Sequence, residues 1–106
     1  MIKQREALSN ISRNKNFTAF EKKVYRAICE IPPGEARSYK WVARRIGRGR
    51  AYRAVGKALN KNPYPVTIPC HRVVKSDGGI GGYSRGAKLK RRLLKREGVD
   101  LRVLRV

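Results

Sequence analysis

The chain contains one histidine, His71, and it directly follows a cysteine in the stretch 68-IPCHRVV-74. A thiolate, not a thiol, is the reactive form of cysteine, and a free thiol with a pKa of about 8.5 is only a few per cent ionised at neutral pH. A neighbouring imidazole is the common means of raising that fraction. Cys70 and His71 are therefore a candidate nucleophile and base. The other cysteine, Cys29, falls on the apolar side of a helical pattern, FTAFEKKVYRAICEI, and reads as a small buried hydrophobe. No CxxC spacing and no second histidine accompany either cysteine, so neither a metal site nor a disulfide framework is expected.

The elements that position this pair belong to a short, very basic chain. Its 106 residues suit one domain with a modest core, and 41% of them are hydrophobic. Twenty-seven lysines and arginines against seven acids give a formal net charge of +20. Self-repulsion of that size opposes a compact fold unless a polyanion relieves it, and nucleic acid is the natural candidate. A ribosomal-type RNA binder or a basic chromatin protein shares this composition. Thermophile surfaces raise glutamate along with lysine, a pattern the seven acids do not fit. No apolar run reaches membrane-spanning length, and Lys3, Arg5 and Glu6 interrupt any signal-peptide shape. The expectation is an intracellular protein, in the cytoplasm, nucleoid or nucleus, with no membrane contact.

Residues 1–16 are polar and weakly patterned, and read as an arm or a short helix ahead of a domain over 17–106. Phe17, Phe20, Val24, Ala27, Ile28 and Ile31 recur at three- and four-residue steps and predict an amphipathic helix, which Pro32-Pro33-Gly34 ends. Ser38 can cap a second helix, SYKWVARRI, with Trp41, Val42 and Ile46 as its stripe and Gly47 at its end. In AYRAVGKALNKN the inner stripe reads as Ala51, Ala54, Val55, Ala58 and Leu59. The two short helices around GRGR fit a helix-turn-helix or an ordinary helical hairpin. Three prolines in 62-NPYPVTIPC-70 demand extended chain. RVV and IGGY around KSDGG predict a β-hairpin, and 86-GAKLKRRLLKREG-98 predicts a helix with Leu89, Leu93 and Leu94 inward. Its cations Lys88, Lys90, Arg91, Arg92, Lys95 and Arg96 read as a solvated face or as a nucleic-acid strip. The fold class expected is mostly α with a small β-hairpin, a winged helix-turn-helix.

IPCHRVV, SDGGIGGYSRG and KLKRRLLKREG, with SY at 38–39, RAVGKAL at 53–59 and NPYPVTIPCHRV at 62–73, stand in order over residues 17–98. In these stretches the chain resembles the active-site domain of the O6-alkylguanine-DNA alkyltransferases, the methylated-DNA–protein-cysteine methyltransferases. The resemblance implies a DNA repair protein that binds duplex DNA in the minor groove and flips O6-alkylguanine out of the stack. The alkyl group then passes irreversibly to the protein's own cysteine, a single turnover without cofactor. Cys70 would accept the alkyl group, His71 would act as base through a bridging water, and Glu97 would hold and polarise His71. Tyr39 would give a proton toward N3 of the leaving guanine and help rotate the nucleotide. Arg53 would enter the stack, with Ala51, Ala54, Gly56 and Lys57 on the same DNA-binding helix. Asn62 would brace the hinge to the active-site loop, and Val73, Tyr83 and Ser84 would line the guanine pocket. A monomer is expected. Family proteins usually carry a further N-terminal domain, in whose place this chain has at most sixteen residues, so the resemblance is to a short form.

The physical case runs beside the resemblance. Displacement at a methyl carbon suits a soft thiolate, and an imidazole that gains a proton benefits from a carboxylate behind it. Small residues let a helix approach a groove roughly 6 Å wide. The glycines of 77-DGGIGGYSRG-86 follow no phosphate-loop pattern and read as turn and clearance beside an extruded base. The main alternative is a non-catalytic alkyltransferase-like protein that senses the lesion; such proteins lack the acceptor cysteine that Cys70 supplies here. A winged-helix regulator or RNA-binding accessory protein is a further reading.

Overall fold

A computed structural model describes residues 4–62, 68–77, 79–83 and 85–101. Among these residues five helices and one pair of very short strands follow in order: α1 (Gln4–Arg13), α2 (Ala19–Ile28), β1 (Arg37–Ser38), α3 (Tyr39–Arg45), α4 (Tyr52–Asn60), β2 (Val73–Val74) and α5 (Ala87–Arg96). A single 3-10 turn, Cys70–Arg72, precedes β2. Among the described residues no helix is long and apolar enough to cross a membrane.

Local chemistry sets the boundaries. Thr18 and Glu21 form a reciprocal capping box at the start of α2: the Thr18 hydroxyl accepts from Glu21 N at 3.0 Å, and the Glu21 carboxylate accepts from Thr18 N at 2.9 Å. Ser38 caps α3 as its sequence position predicts, accepting from Trp41 N at 2.9 Å. The chain leaves α2 through Pro32-Pro33-Gly34 and enters α3 through β1.

The main core draws Ala7 and Ile11 from α1, Val24, Tyr25 and Ile28 from α2, Val42 and Ala43 from α3, and Val55, Ala58 and Leu59 from α4. Ile68, Cys70 and Val73 close it, so the reactive segment is itself part of the core. A smaller cluster joins Ala36, Val74, Leu94 and Val99 around the base of α5. Tyr25 spans the main core: its hydroxyl donates to the Ala58 carbonyl at 2.6 Å and pins α4 to α2.

Several sequence expectations need correction. The two-stranded element is not a hairpin: Val73 and Val74 pair in parallel with Arg37 and Ser38 across a long crossover. The turn itself closes, with Lys75 N donating to Gly79 O at 2.9 Å. The return segment 80–83 lies in no strand, because Gly81 takes a φ of +78° and the Gly82 carbonyl accepts from Lys90 Nζ at 3.1 Å. On α4, Ala54 faces solvent, outside the apolar stripe. On α5 the assignments of Leu89 and Lys90 exchange: Leu89 is 37% exposed, whereas Lys90 is fully buried.

Tyr25→Phe deletes one buried hydrogen bond without changing shape. Ala58 O keeps its bond from Lys61 N, so unfolding in urea should show a loss of about 1 kcal/mol with an unchanged m-value.

Candidate active site and nucleic-acid interface

The 3-10 turn Cys70–Arg72 is where the elements converge. Its third residue, Arg72, reaches two helix ends. Arg72 Nη1 donates to the Ile31 carbonyl just beyond α2 at 2.7 Å. Its Nε and Nη2 donate to the two oxygens of Glu97, at the end of α5, at 3.0 and 2.7 Å. A bidentate, charge-assisted pair of this kind fixes direction as well as distance. The turn carrying Cys70 and His71 is thereby held between α2 and α5.

Cys70 is 4% exposed and lies on the inner side of this turn. Asn62, at the end of α4 and itself buried, donates through Nδ2 to Cys70 Sγ at 3.3 Å and to the Ile68 carbonyl at 2.9 Å. Burial pushes the Cys70 thiol above its usual range, against the Asn62 hydrogen bond and the Lys90 charge, which favour the thiolate. His71 is fully buried, and burial holds its pKa below the usual imidazole value despite Glu97. At neutral pH the pair therefore rests as thiol and neutral imidazole.

Glu97 Oε1 lies 3.1 Å from His71 Nε2, close enough for strong attraction once the ring is charged. The ring N–H is not aligned on it, and neither His71 nitrogen makes an aligned hydrogen bond. The carboxylate's firm partner is Arg72. Burial alone would raise the Glu97 pKa, but the hydrogen bonds from Arg72 and the adjacent His71 ring outweigh it and keep the group ionised.

Lys90 is the site residue that the sequence reading placed wrongly. It enters from the inner face of α5, and its Nζ donates to the Val73 carbonyl at 2.6 Å and to Gly82 O at 3.1 Å. It sits 5.9 Å from the centre of the Tyr39 ring. Burial lowers its pKa to about 8, against the pull of Cys70. A signal was available: Lys90 shares a helical face with Leu93, Leu94 and Glu97 at spacings of three, four and seven. Arg72 was passed over too, although it lies inside the PCHRV motif.

Tyr39 opens α3 and borders a cleft of about 360 Å³ lined with Tyr52, Gly56, Lys75, Gly81 and Gly82 among others. That volume falls within the range of small-molecule sites, about 300–1,000 Å³. The thiol is not part of this lining; Tyr39, whose hydroxyl is pushed up by burial and by the Cys70 charge, connects the two. Gly81 is obligatory: a Cβ there would lie 2.9 Å from the Tyr39 hydroxyl, at a positive φ. Gly56 is different. A Cβ there would meet Tyr39 at 3.9 Å, an ordinary contact, so the fold does not require this glycine.

The remaining expected residues divide. Arg53, Ala54 and Lys57 are exposed on α4, with Ala51 and Gly56 partly so, which leaves one continuous side of that helix open. Ala58 is buried and unavailable to a groove. The Tyr83 hydroxyl is buried without an aligned hydrogen bond, and burial followed by the Cys70 charge pushes it up to about 12. Val73 is buried; its carbonyl is engaged by Lys90, and the Cys70 carbonyl accepts from Val73 N. Ser84 lies outside the described residues. No group of three or more potential metal ligands occurs among the described residues.

Residues 19–99 match the family described as 6-O-methylguanine DNA methyltransferase, DNA binding domain. A methylated-DNA–protein-cysteine methyltransferase of Methanosarcina barkeri is 55% identical over 85 residues, 80% of this chain and 54% of the relative. The chain thus spans about half the length of the curated relatives it matches. Mycobacterium tuberculosis OGT in complex with DNA superposes with a TM-score of 0.76 at 44% identity, covering 77% of this chain and 50% of that one. Atl1 of S. pombe, in complex with damaged DNA containing O6-carboxymethylguanine, superposes with a TM-score of 0.69 at 38% identity, covering 76% and 77%.

Lys90→Met removes the cation that favours the Cys70 thiolate. Alkylation of Cys70 by iodoacetamide, followed against pH, should be slower in the variant below about pH 8, where Lys90 is charged, and little changed well above it. An unchanged rate below that pH would remove Lys90 from the electrostatics of the thiol.

Proposed function

Since the chain belongs to the 6-O-methylguanine DNA methyltransferase family through its DNA-binding domain, we propose that it repairs O6-alkylguanine in duplex DNA by taking the alkyl group onto Cys70. One observation carries this reading. A buried free thiol is held by an amide and flanked by a cation, and its sequence neighbour is a neutral imidazole beside an ionised carboxylate.

In the proposed reaction the Cys70 proton passes through a bridging water to His71, and Glu97 offsets the imidazolium charge. The Asn62 amide and the Lys90 ammonium stabilise the thiolate. Sulfur attacks the alkyl carbon; the S–C bond forms as the C–O6 bond breaks, and the electron pair leaves with guanine. Tyr39 supplies a proton at N3 as negative charge develops there. No cofactor takes part, and the thioether is stable, so each molecule acts once.

The exposed side of α4 would enter the minor groove as a monomer. Arg53 would fill the space left by the extruded nucleotide, and Lys57 would contact phosphate. Ala51, Ala54 and Gly56 would allow the close approach. Gly56 supports this reading: a helix-interior glycine costs about 1 kcal/mol relative to alanine, and the fold alone does not call for it. Extruding a base costs a few kcal/mol, least where alkylation has already weakened its pairing. Such a protein works inside the cell, in the cytoplasm, nucleoid or nucleus.

The match to Atl1 over 77% of that chain favours a second reading, lesion sensing without transfer. Mass spectrometry separates the two. Incubation with a duplex carrying O6-methylguanine should add one methyl group to Cys70, and Cys70→Ser should abolish the gain while still binding the duplex. Tight lesion binding by the unaltered protein without a mass gain would establish the sensor instead. Arg53→Ala should slow transfer from duplex by about tenfold or more, about 1.4 kcal/mol of flipping energy or more, and leave transfer from free O6-benzylguanine unchanged. Equal loss on both substrates would take Arg53 out of the flipping step.

A further inference from the structure

Helix α5 has an inner and an outer face with opposite business. Lys90 and Leu94, four residues apart, point into the protein and are fully buried. Lys88, Arg91, Arg92, Lys95 and Arg96 are all exposed. At 100° per residue these five fall on one arc of the helix, centred opposite Lys90 and Leu94. Over eight residue steps the arc extends about 12 Å along the axis. No acidic residue lies within α5.

The stripe works against the stability of the free protein. It sets like charges at spacings of three and four: Lys88 with Arg91 and Arg92, Arg91 with Lys95, and Arg92 with Lys95 and Arg96. Like charges at these spacings destabilise a helix. Lys88 also sits in the first turn, where the helix dipole disfavours a cation, and Gly86 offers no side-chain cap. Lys95 and Arg96, in the last turn, are favoured by the dipole, and a bound polyanion relieves the like-charge repulsion along the rest of the stripe.

The stripe is also directed away from the catalytic pair. Lys90, on the opposite face, is the residue that reaches Val73 and approaches Tyr39. The helix packs on the 3-10 turn and the smaller cluster, whereas α4 packs on α2 and α3. On α5 Leu94 is buried, Leu93 is partly buried and Leu89 is the one exposed large hydrophobic among the described residues of the helix, so charge dominates what the outer face offers a partner. That is the chemistry of a phosphate backbone, whereas an interfacial membrane helix needs a free apolar face.

From this arrangement we infer that the outer face of α5 is a second nucleic-acid surface, which holds the phosphate backbone of a separate duplex segment while α4 occupies the first. One molecule then joins two stretches of DNA. The inference rests on the proposed DNA face of α4 for the first duplex, and not on alkyl transfer.

The test is capture of a fluorescent duplex by a different duplex tethered to beads, in the presence of the full chain. The triple variant Arg91→Gln, Arg92→Gln, Lys95→Gln should lower capture by about tenfold or more. Its slope of log affinity against log salt for the second duplex should be shallower by about two to three, as expected for three lost phosphate contacts. A charge-matched control, Arg13→Gln, Lys15→Gln, Lys23→Gln, should capture normally. Both variants should accept the benzyl group from free O6-benzylguanine as the parent does, which reports on Cys70 alone and keeps a failure of the proposed repair activity distinguishable. Absence of capture by the parent protein, equal loss in the control, or undiminished capture by the α5 variant would each overturn the inference. So would a parent that binds anionic phosphatidylserine vesicles through the stripe without joining duplexes.

Discussion

The site depends on the forked contact between Arg72 and Glu97. A 3-10 turn of three residues has little stability of its own, and here it must present a thiol and an imidazole with fixed orientation. Arg72 ties the turn to the chain beyond α2 through Ile31 and to the end of α5 through Glu97. Charge-assisted hydrogen bonds contribute about 1.5–3 kcal/mol each. Removing one member of a buried pair leaves an uncompensated charge, at a cost of about 3–5 kcal/mol when burial is complete. The same carboxylate oxygen that receives Arg72 Nε faces His71 Nε2. Support of the turn and the electrostatics around His71 thus share one group, and neither can change alone.

Burial explains why the resting pair is uncharged. It penalises thiolate and imidazolium alike, so it moves the two pKa values apart in the sense that prevents spontaneous ionisation. The surrounding groups lower the cost of forming both charges together: Asn62 and Lys90 on the sulfur side, Glu97 on the imidazole side. A thiol kept protonated is shielded from incidental oxidation and alkylation. Lys90 is itself held in place by two carbonyls, from β2 and from the glycine-rich return segment. The position of the cation therefore records whether those two segments are correctly placed.

The two basic helices answer different constraints. The exposed side of α4 alternates small residues with Arg53 and Lys57, a composition suited to close approach. The outer side of α5 is uniformly cationic, with long side chains and no small residue, suited to contact at the ends of those side chains. In a chain of net charge +20, both surfaces add to the self-repulsion that opposes a compact fold.

The helices, the cap at Ser38 and the break at Pro32-Pro33 are legible in the amino-acid order, because apolar spacing and backbone restriction are local properties. That order also determined the family, since PCHRV, RAVGKAL and the segment ending at Glu97 stand in order along the chain. The partner of each polar group, by contrast, emerges only from the completed fold. Residues 72 and 97 are twenty-five positions apart, and nothing local states that Glu97 bonds Arg72 more firmly than His71. Lysine is seldom buried, so sequence pattern alone puts Lys90 at the surface; the two carbonyls converging on it make burial tolerable. The strand pairing moved for the same reason. The return segment 80–83 gave its carbonyl at Gly82 to Lys90, and β2 found its neighbour in β1, thirty-six residues earlier in register. Periodicity fixes which face of an element is apolar, but a buried charge or carbonyl is satisfied by whatever the completed fold brings within about 3 Å of it.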